Sequence, residues 1–165
     1  MTSTTRAPSA DQLTRILNSS APFSDEAQED VCKKMVNELT EHEQEIAART
    51  SYAYWVASEL KLAGLPSSNV RTRMAMREAR RHLVGERSYD KGLAALRECC
   101  AFRKERKVDL LRTLFDSSWK YDSDEDAKVA QQYQSYLEEE LVKQVMVVRG
   151  KDRESHAVVI KMPRE

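Results

Sequence analysis

Apolar residues recur at intervals of three and four from the start of the chain as far as Lys143, which is the spacing of a buried helix face. A first group, made up of Leu13, Ile16 and Leu17, predicts a short helix over 11–17. A second series predicts one long helix, or two with a bend, over 24–64, with Ser24 as its N-cap. The members of this series are Val31, Met35, Leu39, Ile46, Trp55, Val56 and Leu60.

The same spacing predicts further helices after the stop formed by Gly64 and Pro66. One is a basic helix that follows Ser67 and ends at Gly85, and another begins with Asp90 as its cap. Their inner faces are expected to carry, respectively, Met76, Ala79 and Leu83, and Leu93, Leu96 and Cys100. A short helix over 108–115 follows, and Ser123 with Asp126 has the form of a capping box that opens a last helix. Its apolar positions are Tyr133, Leu137 and Leu141.

The pattern changes after Lys143, where two β-branched runs, 145–148 and 157–160, flank a polar stretch that contains Gly150. These runs predict a β-hairpin or the opening of a sheet. Both are continuously apolar rather than alternating, which is typical of strands that are covered on both faces. We therefore expect the remaining strands of this sheet to lie outside the chain.

The predicted fold class is mainly α, a helical bundle with a carboxyl-terminal β-hairpin. Only four glycines and four prolines occur in 165 residues, which favours long helices because both residues interrupt them. We divide the chain into a flexible amino-terminal segment with a short helix, 1–23, and a long helix or helical hairpin, 24–66. A helical domain, 67–143, and the start of a second domain, 144–165, follow.

Charge and cysteine content exclude several classes of protein. Lys and Arg number 27, as do Asp and Glu, so no net field draws the chain to nucleic acid. Aromatic residues are 7% and do not interleave with basic ones, as they do in single-strand binders. Three cysteines without framework spacing and an amino terminus without a signal-peptide pattern predict reduced thiols and a cytoplasmic protein. Since no apolar run has transmembrane length, membrane contact is expected to be peripheral.

The residue types of catalytic and metal sites do not occur at their usual spacings. His42, His82 and His156 lie on different predicted elements, and none forms a Cys-x-x-Cys or His-Glu-x-x-His pattern. The acidic run after Asp122 resembles a calcium loop, but Ala127 and Tyr133 replace its required glycine and glutamate. Neither a Gly-x-Ser-x-Gly elbow nor a Gly-Lys-Ser/Thr loop is present. We therefore predict a protein without catalytic residues, metal or cofactor.

Basic residues form the one cluster that a partner could use. Two explanations stay open, namely solvated helix faces balanced by acidic residues, or a patch for anionic lipid headgroups. The patch would consist of Arg97, Arg103, Lys104, Arg106 and Lys107. A second basic group precedes it and comprises Arg71, Arg73, Arg77, Arg80 and Arg81.

The stretch LVGERSYDKGLAALRECCAFRKERKVDLL, residues 83–111, carries a family resemblance. Leu83, Arg87 and the pair Tyr89–Asp90 occupy a turn, and an amphipathic helix follows that ends in Phe102, Arg103 and Lys104, with Val108 and Asp109 after it. This order resembles the helical amino-terminal part of the CRAL-TRIO lipid-binding family. Downstream, VVRGKDRESHAVVIKMPRE resembles the entry to the lipid-binding domain of that family, with Gly150 and Asp152 in place and Ser155 and His156 departing from its glycine and arginine.

The resemblance covers about residues 76–165 and implies a lipid-binding or lipid-transfer protein. In the family, an α/β domain encloses a hydrophobic ligand such as a phospholipid (phosphatidylinositol among them), a tocopherol or a retinoid. Only the first hairpin of that domain corresponds to this sequence, so no ligand-contacting residue can be assigned. The alternative is a helical module that binds a protein partner through the long helix 24–64.

Overall fold

A computed structural model describes residues 9–19, 23–61, 67–114, 120–142, 146–151 and 157–161, and from Glu140 onward it describes the backbone alone. The chain divides into two compact units after Arg106. This division falls inside the predicted segment 67–143, while the four-part organisation of the chain stays a prediction. The described residues are mainly helical, as the apolar spacing indicates.

The first unit contains helices whose bounds are α1 Ala10–Asn18, α2 Glu26–Asn37, α3 Glu41–Ala48, α4 Tyr52–Glu59, α5 Ser68–Glu86 and α6 Tyr89–Glu105. The helix predicted over 11–17 is confirmed as α1. The basic helix predicted to follow Ser67 is confirmed as α5, with the Ser67 hydroxyl accepting a hydrogen bond from the backbone N–H of Val70 at 3.3 Å.

The prediction of one long helix, or two with a bend, over 24–64 is wrong, because three short helices occupy 26–59. Residues 62–64 lie outside the described part of the chain. Thr40 separates α2 from α3. Its hydroxyl accepts a hydrogen bond from the backbone N–H of Glu43, and in return the Glu43 carboxylate accepts one from the backbone N–H of Thr40, at 2.8 Å. Ser51 separates α3 from α4 and accepts from the backbone N–H of Tyr54. A side-chain oxygen that satisfies the first N–H groups of a helix favours a new start over continuation of the preceding one.

Two other helix starts differ by one or two residues from the prediction. Asp25 rather than Ser24 caps α2, since its carboxylate accepts from the backbone N–H of Gln28 at 2.8 Å. Helix α6 begins at Tyr89, with Ser88 in the cap position and Asp90 inside the first turn. A carboxylate in the first turn interacts favourably with the helix dipole whether or not it caps the helix.

Helix α5 is the centre of the first unit, because it contacts α1, α2, α3, α4 and α6. Its buried residues include Val70, Met74, Ala75 and Ala79. The two alanines allow neighbouring helices to approach closely, while valine and methionine fill the remaining space.

The core of the unit follows most of the predicted faces, although Val31, Ile46 and Leu83 are half-buried and two further positions are exposed. Leu93, Leu96 and Cys100 are buried as predicted, and so are Leu13 and Leu17. The exposed positions are Ile16 and Leu60. Ile16 lies to one side of the buried pair Leu13 and Leu17 on α1, and Leu60 follows the last residue of α4.

The second unit contains a 3₁₀ helix, Val108–Arg112, and α7, Asp124–Val142. The short helix predicted over 108–115 is therefore 3₁₀ rather than α and ends earlier. Its end is held by the Thr113 hydroxyl, which donates to the Leu110 carbonyl at 2.7 Å. Ser123 caps α7 as predicted, since its hydroxyl accepts from the backbone N–H of Asp126 at 3.1 Å.

Two antiparallel strands, β1 Met146–Lys151 and β2 Ala157–Lys161, follow α7. Val148 pairs with Val159, and the register shifts between Val148 and Lys151. The connecting residues 152–156 and the side chains of both strands lie outside the described part of the chain. The prediction that both faces of these strands are covered, and that they open a lipid-binding domain, stays a prediction.

Candidate functional site

The arginines of α5 hold the ends of neighbouring helices. Arg77 donates to the carbonyl of Ser19, the C-cap of α1, at 3.0 Å and to its hydroxyl at 2.8 Å. Arg73 reaches the Asn18 side-chain oxygen at 3.2 Å, and Arg80 reaches Gln28 of α2 at 3.0 Å. Arg73 and Arg77 lie at the carboxyl end of α1, where cations interact favourably with the helix dipole, whereas Arg80 bonds to a side chain in the first turn of α2. These three arginines therefore contribute to the architecture of the unit.

The residues of the predicted headgroup patch do not form a single exposed cluster. Arg97 donates to the Glu38 carbonyl at 2.8 Å, at the end of α2. Arg103 is half-buried, whereas Lys104 and Arg106 are exposed near the end of α6, with Arg106 Nε 3.7 Å from a Glu105 carboxylate oxygen. In the first unit, Arg97, Lys104 and Arg106 are thus all exposed, but Arg97 is engaged at the end of α2, and the exposed pair near the end of α6 is Lys104 and Arg106.

Lys107 belongs to the second unit and is engaged with acidic residues of α7. Its ammonium lies 2.8 Å from an Asp126 carboxylate oxygen and 3.1 Å from one of Glu125. The hydrogen bond to Asp126 raises the pKa of Lys107, and the same bond lowers the pKa of Asp126. The acidic run that resembles a calcium loop in sequence therefore supplies a helix amino terminus and the partners of a lysine.

The turn that carries the family resemblance joins α5 to α6. Arg87 adopts the left-handed conformation, φ 53°, and its backbone N–H donates to the Leu83 carbonyl at 2.9 Å. The Tyr89 hydroxyl donates to the Glu38 carboxylate, which raises the pKa of Tyr89 to about 12. The Lys34 ammonium lies 4.9 Å from the centre of the Tyr89 ring. These contacts hold the turn against α2.

Three side chains of different chemistry meet between α5 and α6, namely Glu78, His82 and Cys99. One ligand atom from each, a carboxylate oxygen, an imidazole nitrogen and the thiol sulfur, lies within 4.8 Å of the others. Glu78 and His82 are four residues apart on α5 and so share a helix face. Cys99 comes from α6, which packs against that face.

The surroundings of this cluster are partly desolvated. Glu78 is only 5% exposed, and Arg81 donates to both of its carboxylate oxygens, at 3.0 and 3.3 Å. His82 Nε2 is buried without a hydrogen-bond partner, although it lies 3.4 Å from a Glu78 oxygen. Burial, assisted by the negative charge of Glu78, raises the pKa of the Cys99 thiol.

This cluster is the feature that the sequence analysis missed. The pair Glu78–His82, four apart on a predicted helix, forms neither a Cys-x-x-Cys nor a His-Glu-x-x-His pattern. That pair was the available signal, because residues at this spacing face the same side of a helix. Cys99 could not be added from the sequence, since it lies on another helix. Among the other histidines, His42 is exposed and His156 lies outside the described residues.

The remaining thiols behave as core residues. Cys32 and Cys100 are buried, and Cys99 lies at the core edge, as expected for cysteine acting as a small hydrophobe. Burial raises the pKa of Cys32 to about 11 and that of Cys100 to about 12. Cys100 Sγ lies 3.6 Å from the Glu43 carbonyl oxygen and faces α3.

Within the described ranges, no helix combines the length and the apolar character needed to cross a membrane. Comparison of the chain with protein-family models, curated proteins and solved structures finds no match.

Proposed function

We propose that this chain supplies the amino-terminal helical part and first strands of a lipid-binding protein of the CRAL-TRIO type and has no catalytic role of its own. The observation that carries the proposal is the helix–turn–helix at 83–105. The residues that resemble the family motif lie along this helix–turn–helix: α5 ends at Glu86, Arg87 forms the turn, and α6 begins at Tyr89.

The packing of this element supports the proposal. Gly92 of α6 lies against the backbone of α5, where an added Cβ would be 3.2 Å from Leu83 Cα. The inner face of α6 is buried, and the left-handed cap at Arg87 fixes the direction in which the chain returns. A rigid helical pair of this kind is suited to carry a second domain.

The exposed end of α6 suggests how such a protein would meet a membrane surface. Phe102 is 58% exposed, and the exposed cations Lys104 and Arg106 follow it. An exposed aromatic side chain beside basic residues fits peripheral contact, with the ring among acyl chains and the cations at anionic headgroups. The ligand itself would be held by the lipid-binding domain, of which β1 and β2 would form the first strands.

Vesicle sedimentation tests the membrane contact. We expect the chain to bind phosphatidylinositol-containing anionic vesicles and to remain unbound with neutral phosphatidylcholine vesicles. Each of K104E and R106E should weaken binding severalfold, since a basic residue near such a surface contributes about 1 kcal/mol. K33E, which changes an exposed lysine of α2, is the matched control. Equal effects of all three variants would contradict a localised contact.

Ligand binding is tested on the longest natural reading frame that contains this chain. The purified product is incubated with vesicles that contain labelled phosphatidylinositol, tocopherol or retinoid, and the extracted lipid is measured. The proposal requires extraction of at least one of these ligands. Failure with a folded product that includes the complete lipid-binding domain would overturn it.

A second candidate, binding of a protein partner, is favoured by two exposed side chains on and next to α4. Tyr52 is 53% exposed and Leu60 is 55% exposed, whereas Leu39, in the same predicted long helix, is buried. A partner would therefore contact α4 rather than a continuous helix over 24–64. Sedimentation of the wild type and of the double variant Y52E/L60E across a concentration series tests whether that partner is a second copy of the chain. Self-association that the variant loses would support this, and a wild type that stays monomeric would rule out a second copy as the partner.

A further inference from the structure

We propose that Glu78, His82 and Cys99 form a binding site for Zn²⁺, with the fourth coordination position open to water. The proposal is independent of the lipid-binding function. It rests on the meeting of a carboxylate, an imidazole and a thiol within 4.8 Å, all from described residues of the first unit.

The distance between the α5 ligands fits a shared ion. Metal–ligand bonds of about 2.1 Å in a tetrahedral arrangement separate nitrogen and oxygen ligands by about 3.4 Å. His82 Nε2 and a Glu78 carboxylate oxygen lie 3.4 Å apart. The pair does not meet the geometry of a hydrogen bond, since Nε2 has no hydrogen-bond partner. The two atoms are therefore close enough to bind one cation together, and the i, i+4 spacing on α5 keeps them on the same face of the helix.

The chemistry of the three ligands selects the ion. Thiolate and imidazole favour Zn²⁺ over Mg²⁺ or Ca²⁺, which require oxygen ligands and more of them. Thiolate and carboxylate together carry two negative charges, which match the charge of the ion. Three protein ligands leave a tetrahedral Zn²⁺ one position for a water molecule.

The surroundings supply the support that metal ligands need. Arg81 donates to both oxygens of Glu78 and so fixes the carboxylate from outside the site. Glu78 and His82 are held on one face of α5 by the helix, which is long and central to the unit. A Zn–S bond of about 2.3 Å places the sulfur about 3.6 Å from the other ligand atoms, and the three ligand atoms already lie within 4.8 Å of one another.

Cobalt(II) provides the direct test, because it replaces Zn²⁺ and its absorption reports thiolate coordination. The whole chain, freed of metal and kept reduced with a phosphine, is titrated with cobalt(II) and then with Zn²⁺. We expect a thiolate-to-cobalt charge-transfer band that saturates at one ion per chain and disappears when Zn²⁺ displaces the cobalt. Calorimetry of the Zn²⁺ titration should give the same stoichiometry.

Matched variants assign the ligands. C99S should abolish the charge-transfer band, and E78Q and H82Q should each weaken Zn²⁺ binding by more than about tenfold. C100A, C32A, H42Q and H156Q are controls at the other cysteines and histidines and should bind like the wild type. Circular dichroism establishes that each variant is folded.

The proposal is overturned if the wild-type chain binds no stoichiometric Zn²⁺, an outcome that does not depend on the folding of any variant. It is also overturned if the cobalt band survives in C99S, or if a control variant rather than E78Q or H82Q loses binding. None of these results bears on vesicle binding, because Lys104 and Arg106 are not among the proposed Zn²⁺ ligands.

Discussion

At the scale of single residues, Gly92 shows how one missing side chain sets the distance between two helices. A Cβ there would lie 3.2 Å from Leu83 Cα and 3.3 Å from Leu83 N, and these are backbone atoms that cannot rotate away. Gly85, near the end of α5, has nothing within 4 Å of the corresponding position. Both glycines are helical, but a side chain at Gly92 would meet the backbone of α5, whereas one at Gly85 would meet open space.

This difference predicts opposite effects of the same substitution. G85A should raise the free energy of unfolding by about 0.5–1 kcal/mol, because alanine loses less backbone entropy than glycine in a helix. G92A should lower it by about 1–2 kcal/mol, since overpacking against backbone outweighs that gain. Urea denaturation of both variants measures the difference. A stabilised G92A would show that α5 and α6 can separate without cost.

At the scale of elements, side-chain caps divide the region between Asp25 and Leu60 into three helices. The capping box of Thr40 and Glu43 is the best defined of these devices, because each residue satisfies a backbone N–H of the other. The hydrogen bond from the Thr40 backbone N–H lowers the pKa of Glu43. A carboxylate whose pKa is lowered on folding stabilises the fold above its unfolded pKa, and this contribution is lost as the pH falls through the folded pKa.

We therefore expect T40A to lower the free energy of unfolding by about 1 kcal/mol at neutral pH. The deficit should shrink only in part in acid, below the folded pKa of Glu43, because protonation weakens the bond from the Thr40 hydroxyl to the Glu43 carboxylate but not the bond from the Glu43 backbone N–H to that hydroxyl. Urea denaturation at both pH values is the measurement. T14A is the control: the exposed Thr14 hydroxyl donates to the Ala10 carbonyl within α1, a bond that caps no helix, so this substitution should cost little.

The amino end of α7 gives a second prediction at this scale. Lys107 lowers the pKa of Asp126 through a hydrogen bond, and the Ser123 hydroxyl adds to the effect. K107M should raise the pKa of Asp126 towards its ordinary value, as followed by NMR titration of the carboxyl group. K128M, which removes an exposed lysine of α7, should leave it unchanged. An equal shift in both variants would assign the effect to overall charge.

At the scale of the whole molecule, the buried side chains among the described residues lie mostly in the first unit. The aromatic and aliphatic core side chains from Leu13 to Leu96 belong to it, whereas the buried residues among the described part of the second unit are Thr113 and Ala130. Apolar burial is the main source of folding free energy, so the two units should differ in independent stability.

A fragment of residues 1–106 should therefore fold by itself, with a cooperative urea transition and a helical content that matches α1 to α6. The fragment 107–165 should not show a cooperative transition. Circular dichroism and NMR spectra of the two fragments check this. A fragment 1–106 that unfolds without cooperativity would mean that its core depends on the second unit.

Helix content and the inner face of α6 were predictable from the sequence, because the apolar period and the capping residues act over a few neighbouring positions. The sequence also contained Thr40 and Ser51, but an apolar period continuing past them predicted one long helix. Packing of three short helices around α5 decided that question in the tertiary structure. The bond from Arg77 to the end of α1 and the meeting of Glu78 and His82 with Cys99 were also decided there. All of these contacts have the same physical reason, since each joins residues from different helices. The apolar period along the chain does not determine how far apart two helices lie in space.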